Sequence, residues 1–452
     1  MVAGVGAGTA LPPGSSRLRV LVSAFACEPG RGSEPGVGWN FACAAARYHD
    51  VWVVTHATHR PGIEAELQRR PIRHLRFVYY QLPRLGRIRL TPGGQLYYYL
   101  WQLGIYPLVR RLHGSIGFAL THHVTYVKYW QPSLLARLPV PFIWGPVGGG
   151  ESFPWALRSE LRWRYRFYAQ AREVARWCGE HDPMVRSTAR RCRVALAVTQ
   201  ETSSRLRALG AKDVRVFTAI GLTDQEVSCL GRTGPARNGP VRFLSVGRML
   251  YLKGFHLGLQ AFASARLPPD AEYWLIGNGP ELRHLKHLGA ELGIADRLRF
   301  WGEMGRTETL KRLGDCDALV HPSMHESGGV SCLEAMAAGR PVICLDVGGP
   351  RELTTDDTAF RIGVGHPREA VSGIARAMVM VATDRALLAR MGRAARTRAA
   401  SDYLWRTKGR VLDGLYRRVC DPSLQREFHP PGRTDRPALP PDDPYTQITG
   451  LP

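Results

Sequence analysis

The sequence predicts an α/β protein built of two Rossmann-like, doubly wound domains that face a central cleft. Short β-branched or aromatic runs alternate with longer helical patterns, which marks parallel sheets joined by crossover helices. That rhythm runs twice, interrupted by the Gly-, Pro- and Arg-rich stretch SCLGRTGPARNGP at residues 228–240. The chain has 452 residues, 44% hydrophobic and 22% charged, which is enough for two buried cores.

The elements follow in order. Residues 1–16, MVAGVGAGTALPPGSS, have no basic start and no long apolar core, and read as a disordered leader rather than a secretion signal. Residues 17–225 carry the strand runs LRVLVSAF (18–25), VWVVTH (51–56), LRFVYYQL (75–82), GFALTH (117–122), PFIWG (141–145), VALAVT (194–199) and VRVFT (214–218). Residues 226–240 form the expected linker. Residues 241–400 restart with VRFLSVG (241–247), EYWLIG (272–277), LRFWG (298–302), ALVHPS (318–323) and PVICLD (341–346). Residues 401–419, SDYLWRTKGRVLDGLYRRV, read as a helix packing back toward the first domain, and the Pro-rich residues 420–452 as a disordered tail.

Lys plus Arg total 61 against 38 Asp plus Glu, a net charge of +23, so acidic partners are expected. Nucleic acid is set aside, because no recognition helix, zinc-ligand set or aromatic-basic sheet signature accompanies the charge. Nine cysteines without a C-x-x-C read as reduced thiols, the cytoplasmic pattern. No run reaches the roughly 18 apolar residues of a spanning helix. The longest candidate, YYYLWQLGIYPLV (97–109), is interrupted by Gln102, Gly104 and Pro107. The aromatic-basic runs LYYYLWQLGIYPLVRR (96–111) and WRYRFY (163–168) suit either a face seated peripherally on an anionic membrane or ordinary core and solvent faces.

In open α/β sheets, ligands bind at the carboxyl ends of the strands, and the candidate chemistry gathers there. After the first strand, ACEPGRGSEPGVGWNFA (26–42) supplies Gly36 and Glu34 in a loop able to approach an anion or an acceptor. The loop GPVGGGE (145–151), with Gly148 and Gly149, follows another strand on the same edge. His122 and His123 close the GFALTH strand, where an imidazole could move a proton. In the second half, Arg248 and Lys253 in SVGRMLYLKGF are spaced to converge on a diphosphate. In HESGGVSCLEAMAAGRPV, Glu326 precedes a helix start at Gly328 and Gly329, and Glu334 lies inside that helix. Ionised carboxylates can hold sugar and ribose diols, while the amides between them suit phosphate.

The Glu-seven-residue-Glu pattern, together with GRMLYLKG, IGNGPE and GSEPGVGW, resembles the family-four retaining glycosyltransferases of the GT-B fold. The resemblance covers roughly residues 17 to 419, and GSEPGVGW and GPVGGGE are similar to members that assemble bacterial polysaccharides. It implies that Arg248 and Lys253 hold the diphosphate of a nucleoside-diphosphate sugar, that Glu334 binds the ribose, and that Glu326 contacts the transferred sugar. Gly328, Gly329 and Val330 would touch sugar and phosphate. The turn from Gly302 to Met304, with Gly277, would flank the base, and the Gly36 loop would close over the diphosphate. Glu34, Gly148, Gly149 and His122 would form the acceptor side. Many members carry a histidine at the end of the strand reading PFIWG here, where this chain has the Gly-rich loop; His122 or His123 would be its replacement, with His123 the catalytic candidate. Where relatives have Gly-Phe-Gly, this chain has Ser327-Gly328-Gly329, the expected seat of sugar choice.

The implied reaction transfers a sugar to an acceptor hydroxyl, free or lipid-linked, with retention and without a cofactor. Asp315-Cys316-Asp317 spells the Asp-x-Asp of metal-binding transferases, but it joins a helix end to a strand and reads as a turn, so metal-independent binding is expected. The remaining alternative is a catalytically silent nucleotide-sugar-binding protein.

Overall fold

The computed structural model describes residues 16–83, 95–154, 156–157, 163–231, 239–421 and 423–424. Seven parallel strands form the first sheet: β1 (Arg19–Ala24), β2 (Asp50–His56), β3 (Leu75–Tyr80), β4 (Leu120–Thr125), β5 (Phe142–Val147), β6 (Val194–Ala197) and β7 (Val214–Val216). Six form the second: β8 (Arg242–Val246), β9 (Glu272–Ile276), β10 (Leu298–Gly302), β11 (Ala318–His321), β12 (Val342–Leu345) and β13 (Ala359–Ile362). The strand orders are β3-β2-β1-β4-β5-β6-β7 and β10-β9-β8-β11-β12-β13.

Both sheets reverse their winding direction between their first and fourth strands, at β1/β4 and at β8/β11. At such a switch point the following loops splay apart and leave a crevice. The central strands are buried at every position in β4, β5, β11 and β12, as a parallel sheet covered by helices on both faces requires.

Some elements differ from the sequence reading. The fourth strand begins at Leu120, three residues later than expected, because the preceding helix Gln95–Ile116 ends in Gly117 with φ of +68°. β13 has no counterpart among the expected strands; its four residues lie between turn and helix signals, too short a run to stand out. Residues 226–231 of the expected linker belong to the helix Asp224–Gly231. Residues 232–238, residues 1–15 of the expected leader, and residue 422 with residues 425–452 of the expected tail lie outside the described residues.

The helix Trp405–Cys420 lies in the core of the first unit, where Leu412, Leu415 and Tyr416 share a cluster with Phe41, Ala45 and Val51. The chain therefore crosses between the units twice, and the crossings pair as short parallel segments. Leu222 donates its amide to Tyr403 O at 2.8 Å, and Trp405 donates to Leu222 O at 2.9 Å. Beside them, the fully buried Lys408 ammonium lies 4.2 Å from the Phe217 ring centre and donates to Thr218 O. Among the described residues, no helix is long and apolar enough to cross a membrane.

Candidate functional site

At the β8/β11 switch point, the loops after the two strands come into contact. Gly254 makes this possible: it has φ of +68°, and a Cβ there would lie 1.9 Å from Pro322 O. The contact brings Lys253, at the end of the short turn Tyr251–Lys253, against Glu326, and its ammonium donates to Glu326 Oε2. Glu326 is only 18% exposed, and His321 Nε2 stands 3.7 Å from the same oxygen. Burial pushes the Glu326 carboxyl upward, but His321 and the Lys253 charge overcome it and hold the group well below the usual carboxylate range. At neutral pH Glu326 is therefore a carboxylate, able to accept hydrogen bonds but not to deliver a proton.

The backbone after Glu326 turns back on it. The Gly328 amide points to Glu326 Oε1 at 3.4 Å, and Gly329, with φ of +74°, starts the helix Val330–Ala337. Glu334 lies on that helix, buried, and its Oε1 is 2.6 Å from Arg306 Nη1. Burial raises the Glu334 carboxyl, against the pull of Arg306. Arg306 also pairs with Glu226, so it joins the helix before the second unit to the expected ribose acid.

At the ends of β8, β9 and β10 lies a cavity of about 500 Å³, lined by Gly247, Arg248, Gly277, Asn278, Met304 and Thr309 among others; Lys253, Glu326 and Glu334 are not part of its lining. That size suits a small ligand. Arg248, Gly277 and Met304 thus share one wall system, while Gly302 stands behind it and accepts the Gly277 amide at 2.7 Å. Arg306, His321 and Thr309 were not singled out from the sequence. A histidine closing the strand ALVH gave a weak signal; nothing local marked Arg306 or Thr309.

On the first unit the expected residues are placed differently. Glu34 spans the β1/β4 switch point, its Oε1 accepting the amide of Tyr126 at 2.5 Å. Gly36 is not on a free loop. It is buried within the helix Ser33–Ala46, packed on the carbonyl of Arg31. The glycines of the 148–150 run have a packing explanation that the sequence reading lacked: a Cβ on Gly149 would meet the Trp130 ring at 2.6 Å, and one on Gly150 would meet Thr202 at 2.4 Å. The Gly148 amide is spent on Val127 O at 2.9 Å.

The two histidines do not open onto the cleft. His122 is fully buried, with Nδ1 at 2.6 Å from Tyr416 Oη and Nε2 at 2.6 Å from Gly145 O. His123 is 2% exposed and meets Tyr98 Oη at 2.7 Å and Gln102 Nε2 at 3.1 Å. Burial pushes both rings down to about 3, so both are neutral at physiological pH. The expectation of a cleft-facing proton carrier here is corrected: β4 runs on to Thr125, so both histidines lie mid-strand in a sheet buried on both faces.

Asp317 accepts the Arg242 amide at 2.9 Å and Arg385 Nη1 at 3.0 Å at the far end of β11, away from the switch point. Among the described residues, no group of three His, Cys, Asp or Glu is placed to hold a metal ion.

Residues 232–398 match the family described as glycosyl transferases group 1. A glycogen synthase of Mycobacterium tuberculosis (strain CDC 1551 / Oshkosh) is 35% identical over 181 residues, 40% of this chain and 43% of that protein. The lipopolysaccharide core biosynthesis glycosyltransferase LpsE of Rhizobium meliloti (strain 1021) is 31% identical over 196 residues, 43% of this chain and 55% of that protein. The chain thus spans about half the length of these curated relatives. In fold, it is similar to sucrose-phosphate synthase from Thermosynechococcus elongatus, with a TM-score of 0.61 and 17% identity over 90% of this chain and 100% of that one. Anabaena HepE, solved in complex with UDP, gives a TM-score of 0.57 and 16% identity over 87% of this chain and 98% of that one. The described chain therefore has the GT-B architecture, and it is residues 232–398, largely its second unit, that match the glycosyl transferases group 1 family.

Proposed function

We propose that the protein is a retaining glycosyltransferase that moves a sugar from a nucleoside-diphosphate sugar to an acceptor hydroxyl in polysaccharide or glycolipid assembly. The observation that carries this reading is the Lys253–Glu326 pair at the second switch point, on the same sheet edge as the cavity lined by Arg248, Gly277 and Met304. A cation and an ionised carboxylate face the same crevice. They match the two ends of such a donor, the diphosphate and the sugar hydroxyls.

In this reading, the bond from the anomeric carbon to the diphosphate oxygen breaks as the acceptor oxygen bonds on the same face. The acceptor proton passes to the departing phosphate. Arg248 and Lys253 stabilise the charge that develops on the diphosphate, Glu326 orients the sugar, and no protein nucleophile or cofactor takes part. The depressed Glu326 carboxyl supports a binding role over that of a proton-donating acid, which glycoside hydrolysis requires of a carboxyl beside the scissile bond. The glycogen synthase and the core glycosyltransferase support sugar transfer, and HepE with UDP supports a nucleotide-linked donor.

The acceptor is proposed to be lipid-linked and to be met at the cytoplasmic face of a membrane. Exposed Leu96 and Leu103 on one helix, and Phe167, Val174 and Trp177 on another, support this, alongside the basic surplus. Flotation with anionic vesicles at low salt tests it; protein that stays at the bottom of the gradient contradicts the membrane seat. The donor reading is tested by thermal protection and hydrolysis with UDP-, GDP- and ADP-sugars, where at least one is expected to raise the melting temperature and to be consumed.

A further inference from the structure

Both residues that flank Glu326 are held by the first unit. On one side, Ser327 Oγ donates to Glu151 Oε2 at 2.8 Å. On the other, Arg172 Nη1 meets His325 Nε2 at 2.6 Å. Burial, then the Arg172 charge, lowers the His325 ring to about 4, so its Nε2 is a lone-pair acceptor for the guanidinium at neutral pH.

The same two first-unit residues grip a single residue of the glycine loop. Glu151 Oε2 also accepts the Gly149 amide at 3.0 Å, and Arg172 Nη2 donates to the Gly149 carbonyl at 3.0 Å. Glu151 is 1% exposed, and its other oxygen is anchored by Thr199 Oγ1 at 3.2 Å and Thr202 Oγ1 at 3.0 Å. It is therefore a fixed post. On the second unit, the Glu326 carbonyl accepts the Gly349 amide at 2.8 Å. Within its own unit the segment is also held by Lys253 and His321 on the Glu326 side chain and by Ser323 Oγ on the His325 carbonyl, while the bonds of Ser327 and His325 to Glu151 and Arg172 reach across the cleft.

From this geometry we propose that Glu151 and Arg172 are positioning residues that couple the Gly148–Gly150 loop to the sugar-facing carboxylate Glu326. They do so through Ser327 and His325. When the units separate, both cross-cleft bonds break together and Glu326 loses the supports on either side of it. When the glycine loop is displaced, the same two side chains carry the displacement to Glu326. Ser327, at the break in the family pattern, therefore serves registration of the two units and not direct choice of sugar. This rests on the donor reading of the preceding subsection.

The test combines activity with a measurement that needs no substrate. Ser327→Ala removes one hydroxyl from a half-buried loop and Arg172→Ala removes the second bridge; neither deletes a core side chain. With a sugar nucleotide that wild type consumes, Ser327→Ala is expected to lower kcat about tenfold, the scale of one hydrogen bond to a charged group, with the donor KM within about twofold. Ser327→Thr, which keeps the hydroxyl, is expected to recover most of that loss. In a double-mutant cycle, Ser327→Ala with Glu151→Gln should lose little more than either change alone. Small-angle scattering of the unliganded Ser327→Ala/Arg172→Ala protein should give a larger radius of gyration than wild type. Wild-type kcat in Ser327→Ala, or unchanged scattering in the double variant, would overturn the coupling. If wild type consumes no sugar nucleotide, the donor reading fails on its own, and the scattering still decides whether the two bridges add to what holds the units together, alongside the Gln200 amide on Glu352.

Discussion

The two switch points are built alike and filled differently. At the first, Glu34 reaches from the loop after β1 to the amide of Tyr126 after β4. At the second, Lys253 reaches from the loop after β8 to the side chain of Glu326 after β11. A carboxylate bonded to a backbone amide ties two loops together without bringing a cation into the crevice. An ammonium paired with a carboxylate in a crevice can exchange its partner for phosphate on one side and for a hydroxyl on the other. The proposed function puts donor chemistry on the second sheet for that reason, with the first sheet as its framework.

The largest effect should come from breaking the second pair. Lys253→Ala is expected to lower donor turnover by about 10² to 10³, the scale of losing one preorganised charge-stabilising group, with the fold intact by circular dichroism. Loss below tenfold would reduce the pair to a structural ion bridge.

Next is acid sensitivity, which belongs to the first sheet. His122 and His123 are held near 3 by burial, below the ordinary value of roughly 6.5. A histidine with a depressed folded pKa is fully compatible with folding above its unfolded value, and stability falls as pH drops from there toward the folded value, because the unfolded chain takes up the protons first. Thermal melts between pH 7.5 and pH 4.5 should show a decline setting in near 6.5, amounting to about 2 kcal/mol for each ring at pH 5. His122→Gln or His123→Gln should flatten that decline, and neither should move the pH profile of turnover as loss of a catalytic base would.

A smaller effect is expected at Glu334, the proposed ribose acid. Glu334→Gln should weaken nucleoside-diphosphate binding about tenfold in calorimetry while kcat at saturating donor changes little, since a ground-state contact is lost. Smallest of all, Glu34→Gln keeps an acceptor oxygen for Tyr126. It should leave donor affinity unchanged and lower the melting temperature by only a few degrees. A large loss of donor affinity in Glu34→Gln would collapse the contrast between the two switch points.

The same contrast explains what the sequence made legible. On the second sheet the site is nearly contiguous: Arg248 and Lys253 lie in one turn, and Glu326, Gly328, Gly329 and Glu334 in one loop and helix. Spacing alone therefore carries most of the geometry. On the first sheet the partners are far apart in the chain. His122 meets Tyr416, 294 residues later, and Ser327 meets Glu151, 176 residues earlier. No local pattern encodes such pairs. The histidine pair at a strand end was read as cleft-facing because the strand was placed three residues early. Because β4 continues to Thr125 and helices cover both faces of the sheet, each ring is buried whichever face it points to. The triple glycine was read as a ligand cradle because glycine freedom looks the same in sequence whether a ligand or a Trp130 ring occupies the space.

The most direct test of the account is calorimetric titration of wild type and Lys253→Ala with UDP, GDP and ADP, with Glu34→Gln as the first-sheet control. The expected result is that at least one nucleotide binds wild type and Glu34→Gln alike, and at least tenfold more weakly to Lys253→Ala. Equal affinity for wild type and Lys253→Ala, or no binding of any nucleotide to wild type, would contradict the assignment of the β8/β11 crevice as the diphosphate site.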